Sequence, residues 1–359
     1  MRPIHTSSSY FYLEEGPQPY PRYFNTPNQT AVAAKLAELE HAEAGMVFSS
    51  GMAAISTCLM SIVAPGDHVL LLQELYGGTH KFLINEFTKF GIEFDFVDGG
   101  VEEFRGKLRD NTKVVYVESP TNPCHRILDL KALAAFAQEA GIVSVIDNTF
   151  ASPINQNPID FGIDVVVHSA TKYLGGHSDL SCGCVLGKKE FIEKVGSQAR
   201  LYGGNLNAID CYLLERSIKT LDVRIQRQNA GAMTIAEFLC EQPAVSRVLY
   251  PGLPAHPGHE IAAAQMHGFG GMVSFELAEP NLVTNFLTSL NVITPAMSLG
   301  GVESTVTVPA LTSHLAMTPE DRENCGVTPG LIRFSVGIEA AADLKADLAQ
   351  ALEHISKVQ

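Results

Sequence analysis

Five short apolar runs recur through the first half of the chain: VLLLQ (69–73), FDFVD (94–98), KVVYVES (113–119), VSVID (143–147) and DVVVHS (164–169). Helical patterns lie between several of them. The clearest puts Leu130, Leu133, Ala134, Ala137 and Ala140 on one face and stops at Gly141. Near-continuous Val, Leu and Ile runs suit strands buried on both faces, and strands alternating with helices need crossover connections. The pattern predicts an α/β fold with a mainly parallel central sheet, whose ligands sit at the carboxyl ends of its strands.

The rest of the chain differs in texture. Residues 1–30 are rich in Tyr, Pro, Ser and Asn and have neither period, which reads as an extended arm. From Thr30 the run AVAAKLAELEHAEAG predicts a helix closed by Gly45. From about Ser217 come a long helical pattern, the loop YPGLPAHPGH (250–259), the strand GGMVSFEL and the helical stretch PNLVTNFLTSL. The strand LIRFSVG and a helix through Leu344, Leu348 and Leu352 complete a smaller α+β C-terminal domain. A chain of 359 residues exceeds what one core usually organises. The expected division is an arm over 1–29, a larger domain over 30–222 and a smaller one over 223–359.

Charge and cysteine usage narrow the function classes. Lys and Arg total 25 against 39 Asp and Glu, a net charge of −14, and no basic run offers nucleic acid a footing. No apolar run reaches bilayer length and the first residues lack a leader pattern, so no membrane partner and a cytoplasmic location are expected. The seven cysteines are scattered and odd in number, which predicts free thiols. Cys182 and Cys184 have C-x-C spacing without a second ligand pair, so no metal is expected. His256 and His259 form H-x-x-H, but Pro257 and Gly258 interrupt the helix such a pair would need, and the segment reads as a surface loop.

Four features carry chemistry. FSSGMAA (48–54) is a small-residue turn into an apolar helix, where backbone N–H groups at the helix start suit a phosphate; packing alone also explains it. Asp147 ends the run VSVID and suits a cationic ring nitrogen, or a turn or helix cap. Lys172, in Ser169-Ala-Thr171-Lys172, follows an apolar strand and precedes a glycine pair; it is a nucleophilic amine or a solvated lysine. Arg333 lies between Ile332 and Phe334 in an apolar strand and needs an anion, either a substrate carboxylate or a structural partner. Together a phosphate cradle, a carboxylate, a lysine and an arginine meet the demands of pyridoxal phosphate acting on an amino acid. No G-x-G-x-x-G follows the first strand, which disfavours a dinucleotide-dependent oxidoreductase.

At these residues the chain resembles the Cys/Met-metabolism family of pyridoxal-phosphate enzymes. The matching motifs are FSSGMAA, LYGGTH, SPTNP, VIDNTF, HSATKYLGGHSD, YPGL, SLGGVES and GLIRFSVG, in the family's order along essentially the whole chain. The resemblance implies the pyridoxal-phosphate-dependent transferase fold of the aspartate aminotransferase type (type I), with a cofactor domain over 30–222 and a substrate domain over 223–359. It implies that Lys172 holds pyridoxal 5'-phosphate as a Schiff base and Asp147 its ring nitrogen, with Ser50, Gly51, Met52, Ser169 and Thr171 on the phosphate. Tyr76 would stack on the ring and act as an acid/base. Asn122 would lie near the ring hydroxyl and the substrate, while Ser304 and Arg333 would hold the substrate carboxylate. Tyr20 and Arg22 of the arm would reach a neighbouring subunit's phosphate, which implies a homo-oligomer built from dimers, a tetramer being expected.

Departures and matches then bear on substrate. The arm reads N-T-P-N (25–28) with Pro19 before its tyrosine, and Lys81 stands where an arginine is common. Glu303 in GGVES resembles the glutamate of cystathionine γ-synthases and γ-lyases, and Gly78 replaces the cysteine of methionine γ-lyases. The expected activity is γ-elimination or γ-replacement on sulfur amino acids such as cystathionine. Cystathionine β-lyase and O-acetylhomoserine sulfhydrylase chemistry are the alternatives. A non-catalytic pyridoxal-phosphate-binding protein is the rival of another class, and intact Lys172, Asp147 and Tyr76 speak against it.

Overall fold

β-branched and leucine side chains dominate the buried strands and sort them into two sheets. The computed structural model describes residues 2–13, 16, 18–315 and 317–357; Met1, Glu14, Glu15 and Pro17 of the arm, Ala316 and the last two residues lie outside it. Strands β1 (Ala44–Phe48), β2 (His68–Leu72), β3 (Glu93–Val97), β4 (Thr112–Glu118), β5 (Val143–Asp147), β6 (Val165–His168) and β7 (Gly183–Gly187) form the first sheet, in the order β1-β7-β6-β5-β4-β2-β3. Strands β2 to β6 run parallel to their neighbours within that set, and β7 is antiparallel to both β6 and β1. All residues of β2, β6 and β7 are buried, as a sheet covered on both faces requires.

Strands β8 (Val245–Leu249), β9 (Met272–Leu277), β10 (Thr294–Pro295), β11 (Thr305–Thr307) and β12 (Leu331–Ser335) form the second sheet, ordered β10-β11-β12-β9-β8. It is antiparallel except between β10 and β11. The helix Leu221–Cys240 joins the two halves: its Leu221 and Ile225 belong to the first core, and its Ala232, Ile235, Ala236 and Leu239 to the second. Among the described residues no helix is long and apolar enough to cross a membrane.

The structure corrects two local expectations. Helix α1 is Pro27–Leu39 and does not reach Gly45. His41 takes the left-handed turn at φ 58°, and Gly45 lies in β1, where a Cβ would sit 2.5 Å from Leu186 Cδ2. That glycine serves a close strand contact rather than a helix end. The segment around His256 and His259 is also less exposed than a surface loop: His256 is buried, with Nδ1 accepting the Gly258 N–H at 3.1 Å.

Candidate active site

Parallel strands β4, β5 and β6 stop along one edge, and the site is built outward from those ends. Glu118 and Asp147 are the last residues of β4 and β5 and are register partners. Asp147 accepts hydrogen bonds from the Thr149 amide at 3.0 Å and from the Thr149 hydroxyl. That hydroxyl in turn accepts the Ser169 N–H at 2.8 Å, tying the end of β5 to the turn that follows β6. Burial raises the Asp147 carboxyl, and the Thr149 hydrogen bonds oppose the rise. Glu118 is pushed well above the usual carboxylate range by burial and by Asp147 beside it.

Helix α2 (Gly51–Ile62) starts directly over this edge. Ser50 caps it: its Oγ accepts the Ala53 N–H at 3.0 Å and its carbonyl accepts the Ala54 N–H at 3.2 Å. The N–H groups of Gly51 and Met52 are then the helix-start donors left for an anion. A Cβ on Gly51 would lie 2.7 Å from the Ser169 Cβ, so glycine lets this helix start close on the turn that carries Lys172. The Thr171 hydroxyl bridges the Cys182 main chain, donating to its carbonyl and accepting its N–H, which pins the same turn.

Lys172 Nζ donates to Ser298 Oγ at 2.8 Å. Burial, reinforced by the Arg333 guanidinium, lowers its amine from 10.5 to about 8, so a sizeable neutral fraction exists near neutrality. Arg333, on β12, is 5% exposed and has no carboxylate partner among the described residues: Nη1 donates to Asn122 Oδ1 at 3.0 Å and Nη2 to the Ser298 carbonyl at 3.1 Å. A buried guanidinium held only by neutral oxygens retains a strong demand for an anion.

These groups face one cavity of about 430 Å³. Ser50, Gly51, Met52, Tyr76, Asn122, Asp147, Ser169, Thr171, Lys172 and Arg333 all line it, as the sequence reading expected them to meet. Tyr76 stands at the mouth, 42% exposed, with its N–H donating to Glu118 Oε1 at 2.7 Å. The other four expected residues lie elsewhere. Ser304 is turned away: its Oγ donates to Glu339 Oε2 at 2.8 Å and accepts the Gly337 N–H at 2.9 Å. Glu303 is exposed and outside the lining. Tyr20 and Arg22 sit on the surface, Arg22 Nη1 donating to the Arg200 carbonyl at 2.7 Å.

Sequence reasoning missed Glu118, Thr149, Ser181 and Ser298, all of which line the cavity. Glu118 obeys the rule that found Asp147, a carboxylate closing a buried parallel strand, and was legible on that ground. Ser298 was not: it lies in a turn without period, at φ 77°. The donor set nonetheless fits pyridoxal phosphate, with helix-start N–H groups and Ser169 for a phosphate, Asp147 for a ring nitrogen and the Lys172 amine for an aldehyde.

Comparison with known proteins agrees with this geometry. The family described as Cys/Met metabolism PLP-dependent enzyme matches residues 1–353. A cystathionine gamma-lyase of Bacillus subtilis (strain 168) is 46% identical over 98% of this chain and 94% of its own length. A cystathionine beta-lyase of Lactococcus lactis subsp. cremoris (strain MG1363) is 44% identical over 98% and 93%. The crystal structure of cystathionine gamma synthase from Xanthomonas oryzae pv. oryzae, in complex with cystathionine, superposes with a TM-score of 0.96. It is 37% identical, over 99% of this chain and 94% of that one.

Proposed function

Since the chain belongs to the Cys/Met-metabolism family of PLP-dependent enzymes, we propose that its cavity performs γ-elimination or γ-replacement on a sulfur amino acid of the cystathionine type. One observation carries the reading: a half-buried amine lowered to about 8, a buried carboxylate and a buried arginine that has no carboxylate partner among the described residues face a single cavity.

When bound, pyridoxal phosphate supplies an electron sink for negative charge at the substrate Cα. Ser50, Gly51, Met52, Ser169 and Thr171 would hold its phosphate, and Asp147 its protonated ring nitrogen. Arg333 binds the substrate carboxylate, with Asn122 and Ser298 fixing the plane of its guanidinium. The Lys172 amine, free to exchange a proton near neutral pH, takes the proton from Cα. Ser298 Oγ, which accepts a Lys172 hydrogen bond, sets where that amine rests. Tyr76, at the cavity mouth, is placed to protonate the departing sulfur.

Product identification tests the reading. Release of cysteine and 2-oxobutanoate from cystathionine establishes γ-elimination. Pyruvate with homocysteine establishes β-elimination instead, the activity named for the Lactococcus relative. Borohydride reduction of the loaded protein is expected to fix the cofactor on the peptide containing Lys172, and label on another lysine overturns that assignment.

Tyr20 and Arg22 lie outside the cavity of their own chain, and we assign them to the phosphate site of a second subunit. Mixing Arg22→Ala with Lys172→Ala protein is expected to restore activity, because each hybrid dimer has one intact site. No recovery after demonstrated subunit exchange counts against a shared site.

A further inference from the structure

Glu118 is a buried carboxyl on the cavity wall to which none of the roles above falls. It closes β4 beside Asp147, its partner in register on β5, so two acidic side chains stand together at one sheet edge. Their donors are unequal. Asp147 accepts two hydrogen bonds, both from Thr149, whereas Glu118 accepts the Tyr76 main-chain N–H at 2.7 Å. The ionisable groups acting on Glu118 are Asp147 and Glu74, both acidic, and the Tyr116 phenol lies close by on β4 itself. Two like charges this close cannot both be held in a buried site, and the better-donated carboxylate keeps the charge.

Tyr76 needs such an anchor. It precedes Gly77 and Gly78, and its ring packs so closely on Gly78 that a Cβ there would lie 2.5 Å from Tyr76 Cε1. The Ser313 carbonyl would lie 2.1 Å from a Cβ on Gly77. Gly77 and Gly78 open the helix Gly77–Phe82, and Tyr76, which stands just before it, is 42% exposed. The hydrogen bond to Glu118 ties the Tyr76 main chain itself to the end of β4.

We propose that Glu118 is a positioning residue: uncharged, it anchors the main chain of Tyr76 at the cavity wall and leaves the negative charge of the pair to Asp147. The link to catalysis rests on the role given to Tyr76 above; the anchoring itself does not.

Two variants test it. Glu118→Ala removes the acceptor, while Glu118→Gln keeps an acceptor oxygen and cannot ionise. Hydrogen exchange of the peptide carrying the Tyr76 amide, measured on cofactor-free protein, is expected to quicken about tenfold in Glu118→Ala, the size of one buried hydrogen bond. Glu118→Gln is expected to restore slow exchange. In the loaded enzyme Glu118→Gln is expected to recover most of the kcat lost in Glu118→Ala, with both variants retaining the wild-type far-UV circular dichroism. Wild-type exchange in Glu118→Ala overturns the anchor, and Glu118→Gln failing as fully as Glu118→Ala shows that a charged carboxylate is needed. Failure of the functional reading appears separately, as absence of label on Lys172 after borohydride.

Discussion

The cavity has two walls of different construction. One is made by the first sheet: the ends of β4 and β5, the turn after β6 and the start of α2. There Glu118 and Asp147 end strands, Gly51 and Met52 begin a helix, and the turn carrying Lys172 follows β6 directly; hydrogen bonds such as Thr149 to Asp147 and Ser169 to Thr149 lock neighbouring ends together. The other wall comes from the second half of the chain and, apart from Arg333 on β12 and Thr307 on β11, consists of turns: Met297 to Leu299 and Thr312 to Ser313. In the function proposed above, the first wall presents the phosphate and ring partners, and the second presents the group for a substrate carboxylate. A cofactor common to a family suits a rigid seat, while turns can vary without disturbing a sheet.

The sharpest way to break this comparison is to remove the lysine that spans both walls. Lys172 stands on the first and donates its hydrogen bond to Ser298 on the second. Lys172→Ala is expected to reduce kcat by about 10³-fold or more, since both the amine that joins the cofactor and the Cα base are lost. Steady-state turnover of cystathionine measures this. A loss under tenfold means the reaction does not run through this amine.

Arg333 tests the second wall. Its truncation to Leu is expected to raise KM about 10- to 100-fold, the worth of charge-assisted hydrogen bonds to a carboxylate, with a smaller change in kcat. Isothermal titration of the loaded protein with a non-reacting amino acid is expected to show the same weakening. If cofactor affinity falls instead, Arg333 belongs to the first wall.

The same arginine couples the walls electrostatically. In cofactor-free protein Lys172 titrates at about 8, held down by burial first and Arg333 second. Its folded value lies below its unfolded one, so between about pH 8 and 10 the unfolded chain binds more protons and stability rises with pH through this group. Lys172→Met is expected to flatten that rise in thermal melts. Arg333→Leu is expected to move the pH at which Lys172 becomes reactive to acylation upward, because a like charge has gone. An unchanged midpoint means that burial alone lowers the amine.

The two walls also differ in how far the sequence exposes them. Strands β2 to β6 fall within one residue of the apolar runs that predict them; β2, β4, β5 and β6 are buried almost throughout and write that burial directly into composition. Strands β1, β7, β8, β10 and β11 escaped notice: β1 follows the helical run AVAAKLAEL with only a short turn, β7 is a five-residue strand bounded by glycines, β8 is partly exposed, and β10 and β11 are too short to show a period. In the site, Asp147 and Lys172 were visible because they interrupt or end apolar runs. Ser298 and Met297 were not, since nothing in a turn's residues says which way they point. Ser304 shows the converse. Its motif is plain, but its hydroxyl is held by Glu339 and Gly337, contacts made across the C-terminal half that no local pattern encodes.

Glu303 gives the smallest and most discriminating effect. The sequence suggests a carboxylate that selects substrates with a distal ammonium group. In the structure this side chain is exposed and absent from the cavity lining, following the turn Gly300–Gly301 in which Gly300 takes φ 73°. A solvated carboxylate outside the lining interacts with a substrate through high dielectric, worth about 1 kcal/mol at most. Glu303→Ala is therefore expected to change KM less than about fivefold, for cystathionine and for an acylated homoserine alike. The second substrate is the control, because it has no distal amine. A rise of tenfold or more for cystathionine alone brings Glu303 back as the selecting charge. It would then act where the chain's own cavity ends, and the second wall would extend beyond the turns of residues 297–299 and 312–313.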